Sequence, residues 1–192
     1  MHTIQIIGVG KVGSVTAFGI LSKDLGHVIL TDVDESRLDA EFYDLSVYAK
    51  HIGLDNNHYV RKSASLLWAS IYVFCCGKTR KSPDETRESL FEYNWSIIKP
   101  YVERISVLNP EAWILVVSNP STQIAKECMN YLPRVIPMGL LTDRIEDSLS
   151  GIHGYHELNK RFDVGDFIFR LKGGSVFGIV GEIIETLSEL EE

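Results

Sequence analysis

Near the start of the chain two apolar runs bracket a glycine-rich bend, and their order restricts the fold more than any other feature. Ile4-Gln5-Ile6-Ile7 enters Gly8-Val9-Gly10-Lys11-Val12-Gly13 and an apolar-periodic segment follows. His27-Val28-Ile29-Leu30 then leads into Thr31-Asp32. Strand, Gly-x-Gly-x-x-Gly, helix, strand, acid is the order of a dinucleotide site. Gly8 permits the tight turn, Gly10 lets the backbone approach a pyrophosphate, and Gly13 lets the helix pack closely on the strand. Amides at the helix start, in the bend that includes Val9, Lys11 and Val12, then aim at the phosphates. Asp32 can accept from both ribose hydroxyls and would repel a 2′-phosphate, which favours NAD over NADP. A turn before a buried helix accounts for the glycines alone, but not for both strands and the acid.

The alternation continues along the chain. Glu35–Lys50 carries Leu38, Phe42, Leu45 and Ala49 at helical spacing. His58-Tyr59-Val60 predicts a short strand and Ile71–Cys76 a buried one. Ser82–Leu108 predicts a long helix that Pro100 should kink or split. Trp113–Val117 predicts a central strand, Thr122–Leu132 a helix, and Arg134-Val135-Ile136 a last short strand. Strands alternating with helices imply an α/β fold, a doubly wound parallel sheet covered on both faces. Asp143–Arg161 is polar and without sustained periodicity. Ser175–Leu190 then sets Val176, Val180, Ile183, Leu187 and Leu190 on one stripe, with Glu182, Glu185 and Glu189 opposite. The expected division is a nucleotide-binding domain over 1–142 and an abbreviated remnant of a second domain over 143–192.

At 192 residues, 45% hydrophobic and 23% charged, the chain is globular, with room for one ordinary core. A net charge of −7 argues against nucleic acid and against an anionic membrane surface as partners. No apolar run approaches the ~20 residues that span a bilayer. The first residues lead straight into a strand, so no signal peptide is expected. Cys75, Cys76 and Cys128 do not suggest a disulfide framework, and the histidines lack metal-ligand spacing, so no metal site is expected. A cytoplasmic protein fits these features.

Within this acidic chain, residues 78–87 gather Lys78, Arg80, Lys81 and Arg87. Ser82-Pro83-Asp84-Glu85 has the pattern of a helix start, with serine as cap and proline first. Arg87 in the first turn opposes the helix dipole, and an anionic ligand at the carboxyl ends of the strands would account for it. A solvated basic loop is the plainer alternative.

Four motifs together resemble the lactate/malate dehydrogenase family in order and spacing. They are Gly8–Gly13 with Asp32, the segment Cys76-Gly77-Lys78-Thr79-Arg80-Lys81 through Arg87, Asn94, and Val116-Val117-Ser118-Asn119-Pro120. The resemblance covers about residues 3–145 and implies an NAD-dependent oxidoreductase acting on the CH–OH group of a 2-hydroxy acid. It implies that Arg87 polarises the substrate carbonyl, that Arg80 helps hold the dinucleotide, and that Lys81 occupies the substrate-selecting position. A lysine there favours an additional negative charge, as a point charge and not a fork. Asn119 falls between nicotinamide and substrate, and Gly77, Asn94 and Ser118 join the cofactor-binding set.

Beyond residue 145 the match to the family degrades. Aligning Val135–Asp143 to the family's Leu-Asp-x-x-Arg puts the orienting aspartate at Asp143 and the carboxylate clamp on Glu146. A glutamate repels the carboxylate that an arginine would grip. Ile152-His153-Gly154-Tyr155 resembles the strand before the catalytic histidine, whose own position then holds Lys160. His153 and His156 are candidate replacement bases or ordinary loop histidines. Lys172-Gly173-Gly174-Ser175 resembles a Lys-Gly-x-Thr segment, with Ser175 in the place of a substrate-touching threonine.

Three readings stay open on sequence: an active 2-hydroxy-acid dehydrogenase, a non-catalytic NAD(H) sensor or oligomer subunit, and a structural product without a ligand. A homo-oligomer, dimer or tetramer, is expected. The resemblance places the contact on the helix beginning near Glu35, and the 175–190 helix has little cover of its own unless it folds back on the sheet.

Overall fold

The computed structural model describes residues 1–54, 59–79, 85–138 and 175–190, the side chains of Ser175 and Phe177 excepted. Among the described residues six strands form one parallel sheet: β1 (His2–Ile7), β2 (Gly26–Thr31), β3 (Val60–Lys62), β4 (Ile71–Phe74), β5 (Trp113–Val116) and β6 (Val135–Pro137). Their spatial order is β3-β2-β1-β4-β5-β6, so the chain winds outward from β1 in one direction and from β4 in the other. Helices α1 (Lys11–Ser22), α2 (Glu35–His51), α3 (Arg87–Leu108), α4 (Ser121–Cys128) and α5 (Ser175–Glu189) accompany it. This is the expected doubly wound fold.

Side-chain alternation along the buried strands produces two cores. Ile4, Ile6, Val28, Leu30, Ile71 and Val73 pack with Ala17 and Ile20 of α1 and Leu38 and Leu45 of α2. On the other face Tyr72, Phe74, Ile114 and Val116 pack with Ile98, Val102 and Ile105 of α3 and Ile124 of α4. Gln5 is the polar exception in β1. Its amide donates to Thr31 Oγ1 (2.8 Å) and Ser65 O (3.0 Å) and accepts from the Leu67 amide (3.0 Å), so its burial leaves no donor or acceptor wanting.

Several boundaries differ from the sequence expectation. Helix α3 begins at Arg87 and not at Ser82, with Thr86 as its cap: Thr86 Oγ1 accepts from the Ser89 amide at 3.1 Å. Pro100 does not split it. Ser96 and Pro100 are exposed, so water can take the carbonyl that the proline cannot reach. Strand β6 lies one residue later than expected and takes in Pro137, which is tolerated where β6 forms the edge of the sheet among the described residues. Strand β3 starts at Val60, with His58 outside the described residues.

Helix α5 finds its cover within the chain, against α1. A Cβ on Gly19 would stand 2.9 Å from Ile184 Cδ1, so the missing side chain is what lets the two helices approach. Ile183 and Leu187 are buried there. Glu182, expected on the solvent side, is buried as well, whereas Glu185 and Glu189 are exposed as expected. At the far end His2 Nε2 lies 3.0 Å from Leu190 O.

Candidate functional site

The strand order reverses between β1 and β4, and in open parallel sheets the crevice at such a switch point, outside the carboxyl ends of the strands, is where ligands bind. A cavity of about 380 Å³ lies there. Gly8, Gly10, Asp32, Val33 and Arg37 form one wall, and Cys75–Lys78 with Tyr93, Ile97 and Tyr101 form the other.

Each glycine of the bend has its own reason. Gly8 has φ +98°, and a Cβ there would lie 2.6 Å from the Cys76 amide nitrogen. Its own N–H donates to Thr31 O at 2.7 Å, which fastens the bend to β2. At Gly13 a Cβ would lie 2.0 Å from Gly8 O, so α1 could not seat on β1. Gly10 is different: nothing stands within 4 Å of its virtual Cβ, and its backbone is extended. The first two glycines are demanded by packing, whereas the third leaves space in front of a helix start. Gly10 caps α1 without a side-chain hydrogen bond, and the first turn holds no acid. The amides of that turn therefore have no side-chain acceptor from the cap, which suits an anion.

Asp32 sits at the tip of β2 and reaches back to the bend. Its Oδ2 accepts from the Val9 amide at 2.7 Å and its Oδ1 from the Asp34 amide at 2.9 Å. Each oxygen keeps lone-pair capacity, so the carboxylate is held in place and can still accept hydroxyl donors. An open Gly10, an uncapped α1 and a fixed Asp32 fit an adenine dinucleotide: amides for the diphosphate and a carboxylate for the ribose. The adjoining recess, about 660 Å³, is lined by Val9, Gly10, Lys11, Ser14 and Val15 with Arg37, Glu41 and Val176. Helix α5 thus begins beside the glycine bend, Ser175 being its first residue.

The residues expected from the other loops are placed as follows. Gly77 lines the cavity at φ +112°, and a Cβ on it would meet Asn94 Oδ1 at 2.5 Å. Asn94 is 1% exposed and its amide is engaged with backbone: Oδ1 accepts from the Lys78 amide (2.8 Å), and Nδ2 donates to Lys78 O (3.0 Å) and Asn119 O (2.6 Å). Ser118 is buried, its hydroxyl donating to Cys76 O at 2.6 Å with Phe74 O at 3.0 Å. Asn119 is exposed and precedes a cis proline, Pro120. Arg87 is exposed at the first position of α3. Val12 lies in the first turn of α1. Arg80, Lys81, Asp143, Glu146, His153, His156 and Lys160 lie outside the described residues.

The wall contributed by α3 was not among the sequence candidates. Tyr93, Ile97 and Tyr101 recur every four residues and so share one helix face, a signal legible in retrospect. Lys78 Nζ lies 4.5 Å above the Tyr93 ring and pairs with Glu85. Burial pushes the Tyr101 hydroxyl up from its usual range, with Cys76 and Asp32 adding to it.

Cys75, Cys76 and Cys128 are free thiols. Burial raises all three, Cys76 to about 11 and Cys128 to about 12. Thiolate, the nucleophile, is correspondingly scarce. Iodoacetamide at pH 8 should alkylate Cys76 on the order of a hundredfold more slowly in the native protein than in denaturant, where a free thiol's pKa is about 8.5; equal rates by peptide mass spectrometry would contradict this. Among the described residues no group of three or more metal-ligating side chains occurs, and no helix is long and apolar enough to cross a membrane.

Comparison with known proteins agrees with this geometry. Residues 2–135 match the family model described as lactate/malate dehydrogenase, NAD binding domain. L-lactate dehydrogenase 1 of Clostridium acetobutylicum is 33% identical over 170 residues, covering 79% of this chain and 53% of that protein. Malate dehydrogenase of Ehrlichia chaffeensis is 31% identical over 144 residues, covering 71% and 44%. The chain thus spans about half the length of the curated relatives it matches. In fold it resembles malate dehydrogenase of Plasmodium falciparum (TM-score 0.71, 18% identity, 98% of this chain and 77% of that one). It likewise resembles malate dehydrogenase of Archaeoglobus fulgidus solved with NADH (TM-score 0.69, 22% identity, 98% and 77%).

Proposed function

The chain belongs to the lactate/malate dehydrogenase family, residues 2–135 matching its NAD-binding domain, and from that premise we propose that it binds NAD(H) as the nucleotide module of an oxidoreductase acting on the CH–OH group of a 2-hydroxy acid. One observation carries the cofactor half of this reading. The bend is closed to side chains at Gly8 and Gly13, open at Gly10, and tied through the Val9 amide to a carboxylate at the neighbouring strand tip. In this reading Gly8, Val9, Gly10, Lys11, Val12 and Gly13 hold the diphosphate, and Asp32 takes the ribose hydroxyls and selects against a 2′-phosphate.

Bound NAD supplies the carbon that accepts or gives the hydride. The chain's own residues divide the remaining work by their match to the family. Arg87, held at the first position of α3, polarises the substrate carbonyl. Lys81 attracts a second negative charge on the substrate, and Asn119 and Ser175 orient it. Asp143 orients the proton-transferring base, which is His153, with His156 and Lys160 as the alternatives. The assignments to Lys81 and to residues past 138 rest on sequence.

The second reading is an NAD(H)-binding sensor or subunit without turnover. It is favoured by Glu146, which stands where a carboxylate-clamping arginine falls in the family. Division into 1–142 and 143–192, a homo-oligomer and a cytoplasmic setting complete the proposal. Tyr43 (69%) and Val47 (52%) stand exposed on α2, which supports an interface along that helix, and the three free thiols suit a reducing compartment.

Titration with NADH, read by its fluorescence, should give a saturable signal, and a flat titration would remove both readings. Consumption of NADH with a panel of 2-oxo acids then separates them. Turnover abolished by Arg87→Ala supports the dehydrogenase, and tight binding without turnover supports the sensor.

A further inference from the structure

The side chain of Asn94 joins two loops that belong to different halves of the proposed cofactor site. Its amide has two donors and one oxygen acceptor, and the protein backbone uses all three groups. The Lys78 N–H and C=O are both engaged, which clamps the β4–α3 loop, while the second donor crosses to Asn119 O in the β5–α4 loop. The clamp is tight, since Gly77 presses so close to Asn94 Oδ1 that a Cβ would not fit. Burial at 1% exposure removes water as a substitute partner, so each of these bonds is costly to lose. Gly77 and Lys78 line the cavity with Asp32, the adenosine side of the proposed site, whereas Asn119 is assigned to the nicotinamide side by its match to the family motif.

We propose that Asn94 is a positioning residue that couples the two loops, so that ordering the adenosine side also sets the nicotinamide side. This rests on the NAD-binding reading above. Asn94 acts here through the backbone groups of Lys78 and Asn119 that it holds.

Asn94→Asp tests it with little change of shape. A carboxylate keeps the acceptor for the Lys78 amide but turns both donors into lone pairs that face Lys78 O and Asn119 O. The adenosine-side loop stays partly held while the tie to Asn119 becomes repulsive. NADH should therefore bind about tenfold or more weaker, and AMP, which engages only the adenosine side, no more than about threefold weaker. A lowered melting temperature with both affinities unchanged would reduce Asn94 to a structural role and overturn the coupling. Equal losses for AMP and NADH would overturn it too, by confining Asn94 to one loop.

A second measurement needs no variant. In the wild-type protein, saturating AMP should slow hydrogen exchange in residues 118–123 as well as in 8–13 and 77–79. Protection confined to the latter segments overturns the proposal, even should Asn94→Asp fail to fold. Failure of wild-type protein to bind NADH at all would instead refute the NAD-binding reading, so the two failures are distinguishable.

Discussion

Gly13→Ala should cost the protein both its stability and its affinity for NADH, whereas Gly10→Ala, three residues earlier, should cost only the affinity. The contrast follows from what a methyl group meets at each position. At Gly13 it would lie 2.0 Å from Gly8 O, backbone against backbone, and neither partner is the end of a flexible side chain. Relief requires α1 to lift from β1, opening the core around Ala17 and Ile20. A loss of about 4 kcal/mol or more is expected, large beside the 5–15 kcal/mol that typically separates folded from unfolded chains. For a chain of this size that corresponds to a melting temperature lower by roughly 8–16 °C. At Gly10 the methyl meets nothing within 4 Å and the backbone angles suit any residue. Stability should therefore hold to within about 0.5 kcal/mol. The space it fills lies in front of the helix start, so NADH should bind at least tenfold weaker. Thermal melts and NADH titrations of the two variants decide the matter. Unchanged affinity in Gly10→Ala would mean that no diphosphate comes to this bend.

These glycines were legible from sequence because their constraint is local: strand, bend and helix are contiguous, and the acid ends the next strand. The same holds for the sheet, whose buried strands are short apolar runs separated by helical patterns. What sequence placed less well was the start of α3: Ser82-Pro83-Asp84-Glu85 has the pattern of a helix start, but the helix begins at Arg87 with Thr86 as its cap. Pairings between residues distant along the chain were equally invisible. Gln5 interrupts an apolar run at no cost because Thr31, Ser65 and Leu67 supply its partners. Asn94 was read by resemblance as a cofactor residue, and its amide is engaged with Lys78 and Asn119. The apolar stripe of α5 was evident, but not that Gly19 of α1 would receive it, nor that Glu182 would be buried there. Of the candidate site, the cofactor half was thus readable as motif, and its α3 wall only once α3 was in place.

Replacing Asp32 by asparagine should separate its two duties. The carboxylate accepts from two backbone amides, at Val9 and Asp34, and charge-assisted bonds of this kind contribute about 1.5–3 kcal/mol each. Asparagine has one acceptor oxygen, so its NH₂ must face one of those N–H groups, and either the bend or the start of α2 loosens. A stability loss of about 1–2 kcal/mol is expected, or roughly 2–8 °C in melting temperature. The larger effect is on the ligand. With the negative charge gone, ribose hydroxyls lose a charged acceptor with two oxygens and a 2′-phosphate loses its repulsion, while Arg37 on the same wall, paired with Asp34, supplies a cation. NADH should bind about 30- to 100-fold weaker, equivalent to about 2–3 kcal/mol. NADPH should bind as well as before or tighter, so the preference for NADH over NADPH should fall by a factor of about 30 to 100 or more. Parallel titrations of both nucleotides read this ratio directly. Were the ratio the same in Asp32→Asn as in the wild type, Asp32 would be only a brace for the glycine bend, and the assignment of the ribose to it would be wrong.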